Sequence, residues 1–151
     1  MEAIQNENTE KSNFPTFVSD RLVKYGDLNH HTTLFAGRGA EWFVENGFMA
    51  VASLTRPESI VCVKVHGMIF RRPVKNGTIV HCESMVVLAG KTSLVTYVHF
   101  GEHGTNAHIV DGFLTFVHVD PNGKPTPHGL SFEPGNKREE ELHEAAKALK
   151  N

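Results

Sequence analysis

The chain has 151 residues, 40% of them apolar and 21% charged, with a formal net charge of -2 when its ten histidines are counted neutral. That size and composition suit one globular domain with a real core. Without a basic excess nucleic acid is not expected as a partner, and no apolar stretch is long enough to read as a membrane span.

Residues 1–13 carry almost no apolar side chains and read as a disordered segment, and this acidic, polar start is unlike a signal peptide. Residues 17–25 alternate in part and read as a first strand. Residues 26–33, rich in Asp, Asn, His and Thr, read as loop. A helix follows over about 36–54, with Thr32 or Thr33 available as its cap. Pro57 ends it by biasing Arg56 out of helical geometry. Residues 59–71, 78–88, 92–100 and 107–119 then alternate as strands, separated by the turns Lys75-Asn76-Gly77 and Ala89-Gly90-Lys91. Asp120-Pro121-Asn122-Gly123 is a strong turn signal. Residues 137–150 form a charged helix with few apolar positions and no strong claim on the core. Cys62 and Cys82 lie in apolar runs and read as buried and reduced, which suits a cytoplasmic setting.

A strand, a long helix and four consecutive strands argue for an α+β sheet covered on one face by that helix. The other face and the edge strands still need cover, and a homodimer pairing edge to edge is the economical way to supply it. The chain divides into an N-terminal segment (1–13), one domain (14–127) and a C-terminal tail with the charged helix (128–151).

Glu41 and Glu45 stand four residues apart on one helix face, beside Trp42, Phe48, Met49 and Ala52. One or both are therefore expected to point into apolar surroundings, where burial would make a carboxylate a better base. The plain alternative is a solvated face with Arg38 pairing Glu41. Asn29 lies in the Asp27-Leu28-Asn29 loop, where Asn is ordinarily turn chemistry. Gly37 and Gly39 open the helix; its N–H groups are available to polarise a carbonyl oxygen, with tight packing as the competing reading. His30-His31 adjoin Asn29. His99, His103 and His108 invite a metal reading, but no HExxH or CxxC accompanies them and no metal site is assigned. Arg71, Arg72, Lys75 and Lys91 cluster around two turns and are either solvated or phosphate-holding. No Gly-x-Ser-x-Gly, P-loop or dinucleotide fingerprint is present.

Taken together, these segments resemble the hotdog-fold acyl-CoA thioesterases over roughly residues 20–127. The resemblance rests on Asp27-x-Asn29-x4-Leu34-Phe35-Ala36-Gly37, where the family has D-x-N-x4-[IV]-[FH]-G-G. It continues through Val65-His66-Gly67-Met68-Ile69-Phe70-Arg71-Arg72-Pro73-Val74, Gly90-Lys91-Thr92-Ser93-Leu94, and Phe116 to Pro125. It implies a long helix wrapped by an antiparallel sheet, dimers pairing edge to edge, and commonly trimers of dimers. The active site is then shared across the dimer interface, with Asn29 in the family's Asn position. The family's helix acid aligns with Val44, so the role passes to Glu45, less favourably Glu41, or is lost. The resemblance further implies a carbonyl-binding N–H at Gly37 and CoA contacts from Arg71, Arg72, Gly90, Lys91, Thr92 and Ser93. Phe48 and Met49 would line the acyl pocket, and no cofactor is called for beyond the CoA of the substrate. The expected activity is acyl-CoA hydrolysis; the alternative is an acyl-CoA-binding protein without turnover. A hydratase using Asp27 and His31 fits the spacing poorly.

Overall fold

The long helix forms where small and apolar side chains recur at helical spacing. In the computed structural model, which describes residues 13–105 and 107–149, α1 spans Ala36–Ala52. Its buried stripe is Gly39, Trp42, Phe43, Asn46, Gly47, Ala50 and Val51, the i, i+3, i+4 pattern of a core-facing helix. Neither threonine caps it. Phe35 holds the N-cap position without a side-chain bond, and Thr32 and Thr33 stay inside the loop. At the other end the hydroxyls of Ser53 and Thr55 donate to the carbonyls of Ala50 and Val51. Those bonds satisfy groups the ending helix would leave open, and α1 stops two residues before the expected boundary.

Five antiparallel strands make one sheet: β1 (Thr16–Leu22), β2 (Ile60–Phe70), β3 (Ile79–Ala89), β4 (Ser93–Glu102) and β5 (His108–His118). Their order is β1-β3-β4-β5-β2, so the strand after the helix crosses to the far edge. This is the hotdog arrangement. Alternation aims Val80, Cys82, Val86, Leu94, Val98, Phe100, Leu114 and Phe116 at α1, where they form the main core with Phe43 and Val51. Within it Asn46 donates from Nδ2 to Ser19 Oγ (2.8 Å) and accepts from Ser84 Oγ, joining helix and sheet by a buried polar chain.

The opposite face is partly covered by the charged tail helix, α2 (Lys137–Lys147). Few as its apolar positions are, Ala146 is buried with Phe14, Met85, Val87 and Val95, and Leu142 and Leu149 pack against them. Asn136 caps α2 by accepting from the Glu139 N–H (2.9 Å), and His143 Nδ1–H donates to the Val87 carbonyl (2.8 Å). The segment read as disordered lies outside the described residues, apart from Asn13.

Strand β2 is an edge, and there the sequence misleads. Its register slips between Cys62 and Lys64 and again between Val65 and Met68. The second slip is built by Gly67 at φ +122°, whose carbonyl approaches Gly112 so closely that a side chain there would collide with it. Val61, Val63, Val65, Ile69 and Phe70 are all exposed. Cys62, expected to be buried, is exposed as well, because an unpaired edge leaves both its faces open; Cys82 is buried, and both thiols are free. Among the described residues no helix is long and apolar enough to cross a membrane.

The buried polar chain gives the first prediction. Asn46→Ala strands the Ser84 hydroxyl, which is fully buried, and should destabilise the fold by about 1–3 kcal/mol in urea unfolding. The Asn46→Ala, Ser84→Ala double variant should cost less than the sum of the single changes.

Candidate active site

Residues 24–35 bring the chain into α1 through a series of local hydrogen bonds. Asp27 is nearly buried; its Oδ2 accepts from the Lys24 N–H (2.9 Å), closing the turn Tyr25–Asp27, and its Oδ1 lies 3.5 Å from Arg38 Nε. The Asp27 carbonyl accepts from the Phe35 N–H (2.8 Å), and the Val74 carbonyl accepts from the Leu34 N–H (2.8 Å). Asn29 organises the loop between. Its Oδ1 accepts from the N–H groups of His31 (2.8 Å) and Thr33 (3.2 Å), and its Nδ2 reaches Thr33 Oγ1 (3.2 Å) and the Leu34 carbonyl (3.4 Å). The tight path puts Thr32 at φ +63°, the left-handed region that a β-branched residue disfavours.

The N-terminus of α1 carries no side-chain cap, and its first residue, Ala36, lines a cavity. The first bonds back to the Phe35 carbonyl come from Arg38 and Gly39, and no acidic side chain stands in the first turn. The N–H groups of Ala36 and Gly37 therefore remain available to an incoming oxygen. Gly37 leaves room for the Phe35 ring, which a Cβ would meet at 2.5 Å. The cavity, about 430 Å³, is lined by Asn29, Leu34, Ala36, Phe70, Arg71 and Arg72 among others. Asn29 and the two arginines, far apart in sequence, thus share one wall.

The two arginines are not equivalent. Arg71 forks onto Asp111 (Nε to Oδ2 3.1 Å, Nη2 to Oδ1 3.0 Å), a hydrogen-bonded ion pair that holds its guanidinium pKa above the usual range. Arg72 is exposed, and its guanidinium has no partner among the described residues. Gly90, Lys91, Thr92 and Ser93 lie elsewhere. They form the β3–β4 turn, closed by the Gly90 N–H to the Ser93 carbonyl (2.9 Å), at the end of the sheet opposite the cavity.

The glutamates do not enter apolar surroundings within one chain. Glu45 faces β1, its side chain 57% exposed and its Oε1 2.9 Å from Arg21 Nη2; that guanidinium in turn lies over the Trp42 ring. Glu41 points outward, 63% exposed, with only a 3.7 Å approach to Arg38. Neither lines the cavity that holds Asn29. Val44 instead packs on the core, on the same flank as Phe48, whose ring meets Phe116 edge-on on β5. Met49 faces β1 with Trp42 and Arg21, so Phe48 and Met49 occupy different flanks. Asp27, which the sequence offers only as half of a poorly spaced hydratase pair with His31, instead closes the turn that leads into α1.

Known proteins place this arrangement. A model of the thioesterase superfamily matches residues 31–101. The acyl-CoA thioester hydrolase YciA of Salmonella typhimurium is 31% identical over 116 residues, 70% of this chain and 84% of the relative. The chain belongs to the thioesterase superfamily. An uncharacterized acyl-CoA thioester hydrolase, YkhA of Bacillus subtilis, is 31% identical over 105 residues, which is 67% of this chain but 60% of that protein's length. Among solved structures, an apo-hexameric acyl-CoA thioesterase superposes with a TM-score of 0.79 at 28% identity, over 89% of this chain and 87% of the other. An acyl-CoA hydrolase from Staphylococcus aureus in complex with butyryl coenzyme A and coenzyme A has a TM-score of 0.76 at 24% identity. It covers 88% of this chain and 80% of its own, and shows likeness of fold.

The strained loop residue supplies a prediction. Thr32→Gly relieves a left-handed backbone and should raise stability by about 1 kcal/mol in chemical denaturation. Asn29→Ala should loosen the same loop, seen as faster amide exchange at His31 and Thr33.

Proposed function

We propose that the chain is an acyl-CoA thioester hydrolase working as a homodimer, with each active site shared between two subunits. The observation that carries this reading is the uncapped start of α1, whose Ala36 lines one cavity with Asn29 and Arg72. Its superfamily relatives, named as acyl-CoA thioester hydrolases, support it.

Strand β2 is the edge best suited to pair with its copy, being eleven residues long with five exposed apolar side chains, against seven residues in β1. Antiparallel pairing of two β2 strands reverses the ends of the sheet. It brings the partner's Lys91 turn to the end where Arg72 and the cavity lie. Arg72 and the partner's Lys91 then hold the CoA phosphates, with Gly90, Thr92 and Ser93 of that turn along the pantetheine arm. Pairs of this kind assemble further as trimers of dimers, and the reduced thiols of Cys62 and Cys82 suit a cytoplasmic setting.

In this reading the thioester carbonyl oxygen accepts from the N–H groups of Ala36 and Gly37, which face it as charge develops. Asn29 keeps the loop, and hence those donors, in place. A carboxylate on the partner's α1 takes a proton from water as its oxygen bonds to the carbonyl carbon. The C–S bond then breaks, and the proton passes to the CoA thiolate. For that carboxylate, geometry supports Glu41 over Glu45. Glu41 lies about 60° around the helix from the Val44 position and Glu45 about 100°. Glu45 is also turned to β1 by a close ion pair, whereas Glu41 is loosely held.

Release of free CoA from a panel of acyl-CoA substrates tests the assignment. Glu41→Gln should lower kcat by about 100-fold or more, while Glu45→Gln should keep it within a few-fold. Arg72→Ala should raise KM more than it lowers kcat. The reverse order of the two glutamates would move the base to Glu45. Tight acyl-CoA binding without CoA release in the unaltered protein would instead identify a binding protein.

A further inference from the structure

The face of the sheet away from α1 is divided. Toward one end α2 covers Met85, Val87 and Val95. Toward the other, Asp20, His81, Glu83, His99, His103 and His108 surround a concavity of about 490 Å³. Acyl-CoA hydrolysis as proposed above uses none of them.

We propose that Asp20, His81 and His103 form a divalent transition-metal site of the kind zinc occupies. The three come from different parts of the sheet. Asp20 on β1 and His81 on β3 are direct cross-strand neighbours, and His103 stands in the turn after β4. The His103 N–H donates to the Ile79 carbonyl (2.8 Å), and Gly104 at φ +83° completes the turn, so the ring is held over the start of β3. One ligand atom from each residue lies within 4.8 Å of the others. Asp20 Oδ1 is 2.8 Å from His81 Nδ1 and 3.7 Å from His103 Nδ1. Tetrahedral zinc with bonds of about 2.0–2.1 Å separates its ligand atoms by about 3.3 Å, between those two distances.

The His81 ring strengthens the case. Its Nδ1 faces the Asp20 carboxylate and its Nε2 lies 3.3 Å from the Glu83 carboxylate. Two acceptors flank one imidazole, so the ring needs either a second proton or a cation at Nδ1. A metal at Nδ1 with the Nε2–H donated to Glu83 is the carboxylate–histidine pairing that orients metal ligands. His103 Nδ1 is too far from Asp20 for a direct hydrogen bond, and a metal between them would use it. Two imidazoles with one carboxylate suit zinc or copper better than magnesium or calcium. The fourth position opens to the concavity and is free for water. His99 and His108 bond to each other alongside, so they are not needed as ligands.

Calorimetric titration of the metal-free, full-length protein with zinc chloride in a non-chelating buffer tests this, with cobalt(II) absorption as the second readout. One zinc per chain is expected. It should be lost in both His81→Asn and His103→Asn, weakened about tenfold or more in Glu83→Gln, and unchanged in the remote control His118→Asn. Circular dichroism checks that each variant folds. Equal zinc binding by all variants, or none by the unaltered protein, would overturn the proposal and leave His81 as an imidazolium bridging two carboxylates.

Discussion

Two backbone hydrogen bonds decide where and in what direction α1 begins: Leu34 N–H to the Val74 carbonyl, and Phe35 N–H to the Asp27 carbonyl. The first ties the loop to the segment after β2, and the second ties it to the turn after β1. Between them the chain has little freedom, and the strain surfaces at Thr32. The side chains of Asp27 and Asn29 reinforce the same path by accepting from backbone N–H groups that would otherwise be open. The result is a helix whose first N–H groups are not consumed by a cap. A conventional Ser or Asp cap would stabilise α1 by about 1 kcal/mol but, accepting from the Gly37 or Arg38 N–H, would compete for one of the donors that the proposed chemistry needs.

The sheet distributes the remaining parts by alternation and by its two ends. One face of β3, β4 and β5 supplies the core under α1, and the other carries α2 at one end and the histidine cluster at the other. The helix entry and Arg72 sit at one end, the Lys91 turn at the opposite end. A single chain cannot bring those two ends together. An edge of exposed apolar side chains on β2 offers the means, because antiparallel pairing sets unlike ends side by side.

Much of this was legible in the sequence. Strict alternation located the last four strands to within about two residues, and the apolar run entered through Gly37 and Gly39 located α1 with its C-terminal end only two residues too long. What failed has identifiable causes. Cys62 looked buried because alternation cannot tell an edge strand from a central one. Helix α2 looked detached because Ala146 and Leu142 are few, yet one helical turn is enough when Phe14 completes the pocket. Glu45 looked the better placed of the two glutamates because spacing gives a face without its surroundings; Arg21, on another element, turns it toward β1. Asn46 passed unnoticed because its partners, Ser19 and Ser84, come from two strands. The Asp20, His81 and His103 grouping was invisible for the same reason, each ligand arriving from a different part of the sheet.

Subunit complementation tests the shared site most directly. Asn29→Ala and Glu41→Gln subunits, each first shown to be impaired alone, would be unfolded, mixed in equal amounts and refolded together. If the loop and the carboxylate come from different subunits, half of the dimers are mixed and each mixed dimer keeps one intact site. CoA release should then recover to about a quarter of the unaltered enzyme's rate. No recovery, with mixed dimers present, would contradict the account by placing both groups in one subunit's site.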